Sequence, residues 1–269
     1  MARIAVGLEY DGNDFAGWQL QISAPSIQAT LQAALASVCD HPVAVTGAGR
    51  TDAGVHARCQ VAHFESAAPR TERALLLGTN SSLPPGVALR WVRFVPEHFH
   101  ARYSALARTY RYCILNRTTR SALSHGRAAF VYRPLRVEPM QEAARLLIGT
   151  HDFSAFRAAE CQARSPVRNL MQLQVQRSGD FLVLEVTANA FLHHMVRNLA
   201  GLLIHIGQGE ASPDLAAEVL AGRNRRLAPA TAPAAGLYLW RVQYPPVFGL
   251  PDDSDIMQSP AGCPADLLG

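Results

Sequence analysis

The chain has 269 residues, 49% of them apolar and 17% charged. That is enough apolar material for one large core or two small ones, and too much for a disordered chain. Its longest apolar runs, such as residues 201–206, fall far short of a bilayer span, and the opening MARIAVGLEY has no signal-peptide layout, so a soluble cytoplasmic protein is expected.

In chain order, residues 3–10 alternate through Ile4, Val6 and Leu8 as a strand does. Residues 26–38 place Ile27, Leu31, Leu35 and Val38 on one helical face. A short strand over 43–45 is followed by the glycine-rich GAGRTDAG and a second alternating strand over 55–65. Residues 71–81 read as a helix starting near Pro69 or Thr71, and 87–95 as a strand. In the second half, a strand over 108–115 leads into a long basic connection and a helix over 138–148. Strands over 170–176 and 181–187 flank Ser178-Gly179-Asp180, a strong hairpin signal. Helices over 191–206 and 214–221 and a strand over 237–244 complete the pattern.

Each half thus reads β-α-β-β-α-β, which predicts an α+β protein of two ferredoxin-like, split β-α-β halves with antiparallel or mixed sheets. The expected boundaries are 1–104 and 105–246, with 247–269 as a disordered tail. The fold by itself says little about function.

Charge is unevenly spread. Residues 101–177 hold 13 Arg against four acids, a balance of +9, while the remainder holds 12 Arg against 17 acids, a balance of −5. Such a concentration suits a polyanionic partner. Every one of these cations is Arg, which a GC-rich coding sequence produces unaided, although the Arg fork also suits phosphates and stacking on bases. Cys39, Cys59, Cys113, Cys161 and Cys263 are odd in number and widely spaced, which points to reduced, mostly buried thiols and not to disulfides or a cysteine metal site.

The segment running from Gly47 through Gly49, Arg50, Thr51, Asp52 and Gly54 to His56 is the outstanding candidate for chemistry. Its glycines permit a tight turn and close approach to a ligand. Read from Gly47, a dinucleotide fingerprint needs glycine where Asp52 stands, and no Gly-Lys-Ser/Thr follows as a phosphate loop requires. The loop therefore reads as one that presents Asp52. A turn or helix cap is the ordinary use of such an Asp.

GAGRTDAGVHA closely resembles the catalytic signature of the TruA family of tRNA pseudouridine synthases. Other segments match that family in order: Tyr10-Asp11-Gly12 with Phe15, Gly17, Trp18 and Gln19; Ser26-Ile27-Gln28 with Leu31; Phe99-His100-Ala101-Arg102-Tyr103; Arg108-Thr109-Tyr110-Arg111-Tyr112. So do Gly149-Thr150-His151-Asp152-Phe153, Cys161-Gln162-Ala163-Arg164, Phe191 through Asn198, and Gly236-Leu237-Tyr238-Leu239. The resemblance spans residues 3 to about 244 and implies the pseudouridine synthase fold. It departs at Ala163, where Ser is common, and at Arg108, where Lys is common.

The resemblance implies that Asp52 is the catalytic carboxylate, paired with Arg197, and that Tyr110 stacks on the target uracil and assists proton removal at C5. Leu237 would close the apolar side of the base pocket, and Arg50 would fill the space the base leaves. Phe99, His100, Ala101, Arg102 and Tyr103 would contact substrate, as would Glu160, Cys161, Gln162, Ala163 and Arg164. Arg102, Arg157, Arg164 and Arg168 are candidates for phosphate contacts. The implied substrate is uridine at positions 38, 39 and 40 in the anticodon arm of tRNA, and the implied assembly is a homodimer.

The reaction breaks N1–C1′, rotates the base and joins C5 to C1′, so neither a metal nor a redox or nucleotide cofactor is expected. A carboxylate can attack C1′ or C6, or take a proton from C2′; the sequence leaves all three open. Each route needs the ionised form, which is the ordinary state of an aspartate side chain at neutral pH. His193 and His194 are expected on a helix, where neighbours diverge by about 100° and do not readily share a metal. The alternatives are a non-catalytic RNA-binding protein built from tandem ferredoxin-like units and, less well supported, a metabolic enzyme acting on a small anion.

Overall fold

A computed structural model describes residues 1–251; the expected tail from 252 onward lies outside the described residues. The chain divides into two compact units, one made of Met1–Leu106 together with the chain from Tyr238, the other of Ala107–Leu237.

The first unit opens with β1 (Ala2–Tyr10), α1 (Ile27–Cys39), β2 (Thr46–Gly47), β3 (His56–Ser66), α2 (Glu72–Ser82) and β4 (Val87–Val95). Ser26 and Thr71 cap the two helices by accepting from the backbone N–H groups of Ala29 and Ala74. At its other end α1 stops where Asp40 turns to φ 59, and the Asp40 carboxylate receives Arg70 at 2.7 Å. β1 lies between β3 and β4, antiparallel to both, from Ala2↔Ser66 to Tyr10↔Ala57 on one side and from Arg3↔Val95 to Tyr10↔Val87 on the other. The expected strand over 43–45 forms instead at Thr46–Gly47, opposite His63 and Ala62. Val43 and Val45 are buried without strand pairing, because the backbone N–H of Val45 is taken by the Gln32 side chain and its carbonyl by that of Gln28. Nor does β3 show the expected one-sided burial: of its eleven residues only Arg58 and Glu65 escape burial.

The second unit contains β5 (Ala107–Asn116), β6 (Ala129–Val131), α3 (Val137–Leu146), β7 (Gly149–Asp152), β8 (Val167–Ser178), β9 (Phe181–Ala188), α4 (Met195–Gly207) and α5 (Leu215–Gly222). Its main sheet runs β5-β9-β8-β7, antiparallel throughout. The expected hairpin is present: Ser178 faces Phe181 across a two-residue turn, with Gly179 at φ 55. β6 and β7 were not foreseen. β6 is three residues inside the basic connection, added in parallel to β5, and β7 is the polar GTHD, whose pairing with β8 rather than any apolar pattern makes it a strand. α3 and α4 pack on each other, and Met140 occupies the space a side chain at Gly207 would need.

The last strand, β10 (Leu237–Gln243), runs parallel to β3, with Tyr238 opposite His56 and Leu239 opposite Ala57. In the first unit β2 and β10 therefore share one edge of β3, giving the split β-α-β strand order with its second strand cut to two residues. Residues 247 and 248, expected within the tail, belong to a single 3₁₀ turn at Pro246–Phe248, and Phe248 packs on Phe99 at 5.0 Å.

Candidate active site

In the first unit Asp52 stands on the connection from β2 to β3, half-buried, beside an exposed Arg50. The loop takes this path because the segment after β1 grips it through backbone contacts. The Trp18 N–H donates to the Thr51 carbonyl at 3.0 Å. Gly17 adopts φ +100, and a Cβ there would lie 2.5 Å from the same oxygen. A Cβ on Gly12 would lie 2.1 Å from the carbonyl oxygen of Val55. These two glycines serve close approach of one chain segment to another.

Side chains complete the grip. The hydroxyls of Tyr10 and Thr51 share a buried hydrogen bond of 2.8 Å, and Gln60 donates to the Gly49 carbonyl at 2.8 Å. After Asp52 the chain turns through a Val55 N–H to Asp52 carbonyl bond of 3.1 Å, with Gly54 at φ 74. His56, next along, stacks on Tyr238 at 4.6 Å and accepts the Gly12 N–H on Nδ1 at 3.1 Å. Asp52 is thus presented by a rigid bend and not by a mobile tip.

The stretch from Phe99 to Tyr103 also lies in the first unit and divides by burial. Phe99 and Ala101 are fully buried and offer no surface to a substrate. Phe99 packs on Tyr244 and Phe248, while Ala101 donates to His63 Nδ1 at 3.2 Å and accepts from the Tyr244 hydroxyl. Arg102 and Tyr103 are exposed, and their backbone N–H groups are collected by His100 Nδ1. Burial, with the nearby His100 and Arg3, holds His63 down to about 4, so it is neutral and free to accept the Ala101 N–H at physiological pH.

In the second unit Tyr110 sits on β5, 8% exposed, its ring edge-on to Phe191 at 5.0 Å. Arg197 lies in the first turn of α4; its Nε donates to the Ala232 carbonyl at 2.9 Å, and the Ala232 N–H returns a bond to the Arg197 carbonyl. Nearby, the Tyr112 phenol is pushed well up by burial, against the opposing pull of the Arg197 charge. Leu237 is buried at the start of β10. Glu160, Gln162 and Arg164 are exposed and Cys161 and Ala163 half-buried on the loop before β8, whose start is tied by the Ala158 N–H to the His193 carbonyl.

Two expectations change here. His193 and His194 are not helical: α4 begins at Met195, and His194 precedes it at φ 61. The two rings consequently lie 4.1 Å apart, where a shared helix would have separated them. Part of the basic stretch is also spent on bonds within the unit. Arg108 is buried and donates to the Asn189 carbonyl, Arg111 pairs with Glu185 at 2.7 Å, and Arg177 serves Asn116 and the Leu135 carbonyl. Arg168, expected on phosphate, gives its Nη1 to the carbonyls of Ser165 and Val167. Arg102, Arg120, Arg127, Arg133, Arg136, Arg145 and Arg164 are exposed, as is Arg177 despite its bonds.

Sequence reading missed Asn198, Thr231 and Arg225 in the second unit and Tyr10 and Gln60 as supports in the first. A signal existed for Asn198. It shares the inward helical face with Met195 and Leu202, where a polar residue needs partners.

Both units are α+β: the first presents an aspartate on a clamped loop, and the second carries a tyrosine on its sheet and an arginine at the start of a helix. The family model described as tRNA pseudouridine synthase matches residues 8–104 and 143–245. A relative from Nitrosococcus oceani named tRNA pseudouridine synthase A is 54% identical over 249 residues, covering 93% of this chain and 96% of the relative. Relatives of the same name from Methylococcus capsulatus and Coxiella burnetii are 53% and 51% identical, covering 96% and 93% of this chain and 96% of each relative. The chain belongs to the tRNA pseudouridine synthase family: it is an isomerase that converts uridine to pseudouridine in tRNA. Among the described residues no helix is long and apolar enough to cross a membrane.

Proposed function

We propose that the chain modifies uridines 38, 39 and 40 in the anticodon arm of tRNA, with Asp52 as the catalytic carboxylate. The observation that carries this reading is the bend holding Asp52: a buried Tyr10–Thr51 hydroxyl pair, the Trp18 N–H and Gln60 fix the backbone before it, and the Val55 N–H to Asp52 carbonyl bond fixes the turn after it. A carboxylate that must meet one carbon of a nucleoside benefits from such fixed aim.

Asp52 attacks C1′ or C6, or removes the C2′ proton. The N1–C1′ bond breaks, C5 bonds to C1′, the C5 proton leaves and N1 gains one, so the product is an isomer and no co-reactant is consumed. Arg197 supports the charged carboxylate. Tyr110 stacks on the uracil and assists the proton transfer at C5, and Leu237 closes the apolar side of the base pocket. Flipping the uridine costs roughly a few kcal/mol, which phosphate contacts from Arg102, Arg157 and Arg164 offset and Arg50 relieves by filling the vacated space. His100, Tyr103, Glu160, Cys161, Gln162 and Ala163 complete the tRNA contact surface, and Phe99 and Ala101 act from the core as anchors for the residues beside them. The working form is a homodimer, and the compartment is the cytoplasm, where the tRNA pool resides.

The test is pseudouridine mapping of tRNA treated with wild type and with Asp52→Asn. The substituted protein should lose at least about a thousandfold in rate while still binding tRNA. Full activity in Asp52→Asn would end the assignment, and modification confined to another arm would end the positional one.

A further inference from the structure

We infer that the segment from Ala228 to Pro233, with Thr231 at its centre, is the positioning device for Arg197, and that Thr231, Asn198 and Arg225 are positioning residues for the isomerisation. The inference rests on the assignment of Arg197 to the reaction.

An arginine in the first turn of a helix has four side-chain torsions to settle, and its fork acts directionally only when its plane is set. Here the plane is set by Nε, which donates to the Ala232 carbonyl at 2.9 Å, and the same residue's N–H binds the Arg197 carbonyl at 3.1 Å. Ala232 is not part of the helix; it belongs to a strap of six residues without regular structure. Whatever fixes the strap therefore fixes the guanidinium.

Thr231, the preceding residue, does that fixing. Its hydroxyl donates to Asn198 Oδ1 at 2.7 Å and accepts from Arg225 Nη2 at 3.0 Å. Asn198 is fully buried and is the hub: Oδ1 also accepts Arg225 Nη2 at 3.2 Å, and Nδ2 donates to the Phe156 carbonyl at 2.8 Å. Arg225 Nη1 returns to the strap at the Ala228 carbonyl. Gly201 lets the strap lie against α4, since a Cβ there would stand 2.0 Å from the Ala230 carbonyl oxygen. At the far end the Tyr112 hydroxyl donates to the Pro233 carbonyl at 2.9 Å. A half-buried network centred on the buried Asn198, with each of these groups satisfied, holds one arrangement in preference to others. None of its side chains needs to touch the uridine.

The test is single-turnover pseudouridine formation on tRNA, with tRNA affinity measured in parallel, for Thr231→Val, Thr231→Ser, Arg197→Lys and the Thr231→Val/Arg197→Lys pair. Thr231→Val should slow the chemical step by on the order of tenfold while affinity stays within about twofold. Thr231→Ser, which keeps the hydroxyl, should restore the rate. The double variant should be no slower than Arg197→Lys alone, because both changes remove one aimed group. If Thr231→Val does not fold, Arg225→Gln at the half-buried rim of the network replaces it under the same criteria. Losses that multiply in the double variant, or a wild-type rate in Thr231→Val beside a slow Arg197→Lys, overturn the positioning role while leaving Arg197 in the reaction. A wild-type rate in Arg197→Lys overturns the assignment of Arg197 and this inference with it.

Discussion

The two units hold Asp52 and Arg197 by different means. In the first, the Asp52 bend is gripped chiefly by backbone against backbone: Trp18 on Thr51, Gly17 and Gly12 against the carbonyls of Thr51 and Val55. In the second, Arg197 is aimed by a chain of side chains, Asn198, Thr231 and Arg225, acting through a loop with no regular structure. The lesson is one of tolerance. A grip made of glycines fails when any side chain is added, whereas a polar network fails only when a specific donor or acceptor is removed.

The largest effect should come from adding a single methyl group to the first grip. Gly17→Ala must hold φ near +100 and place a Cβ 2.5 Å from the Thr51 oxygen. A loss of about 3 kcal/mol or more in urea-induced unfolding is expected, with activity reduced even where the protein stays folded. A stable, fully active Gly17→Ala would break the comparison at its root.

Next in size is Asn198→Ala. Alanine suits a helix, so the cost is polar: the Phe156 carbonyl, Thr231 and Arg225 each lose a partner. Because an unsatisfied buried group costs about 1–3 kcal/mol, a total near 3 kcal/mol is expected by the same unfolding measurement. A change below about 0.5 kcal/mol would mean that water or a shifted strap replaces the hub, and the side-chain half of the comparison would go.

The last effect concerns pH and the first unit alone. Folded His63 titrates at about 4, below its ordinary 6.5, chiefly through burial and then through His100 and Arg3. The unfolded chain therefore takes up a proton between these values that the folded chain refuses. Stability is intact above about pH 6.5 and declines as the pH falls toward 4. Thermal melts across this range should show that decline in wild type and a flatter profile in His63→Gln; parallel profiles would remove His63 as its source.

Much of this was legible beforehand, for identifiable reasons. β1, β4, β5 and the β8–β9 hairpin were placed within a few residues because their apolar alternation is long and their turn is built around a glycine. The Asp52 loop stood out by its glycines and its family pattern. β6 and β7 did not, since three and four residues carry no period, and pairing with β5 and β8 alone makes them strands. The start of α4 was misplaced because apolar residues continue back to Phe191, while the left-handed turn at His194 has no sequence mark. The strap is the clearest omission: Ala-Pro-Ala-Thr-Ala-Pro reads as a plain connector, and its value lies wholly in which carbonyl meets which donor.

The shortness of β2 carries a consequence for how the molecule is made. Its two residues leave most of one flank of β3 open, and β10 occupies that flank at Tyr238 and Leu239. The first unit is therefore completed by a stretch that leaves the ribosome only after all of Ala107–Leu237 has been synthesised. At about 5–20 residues per second that interval is on the order of ten seconds, during which the Asp52-bearing half waits with one strand edge partly open. Translation thus delivers the aspartate early and the closing strand of its own sheet late, so the half made first is not the half finished first.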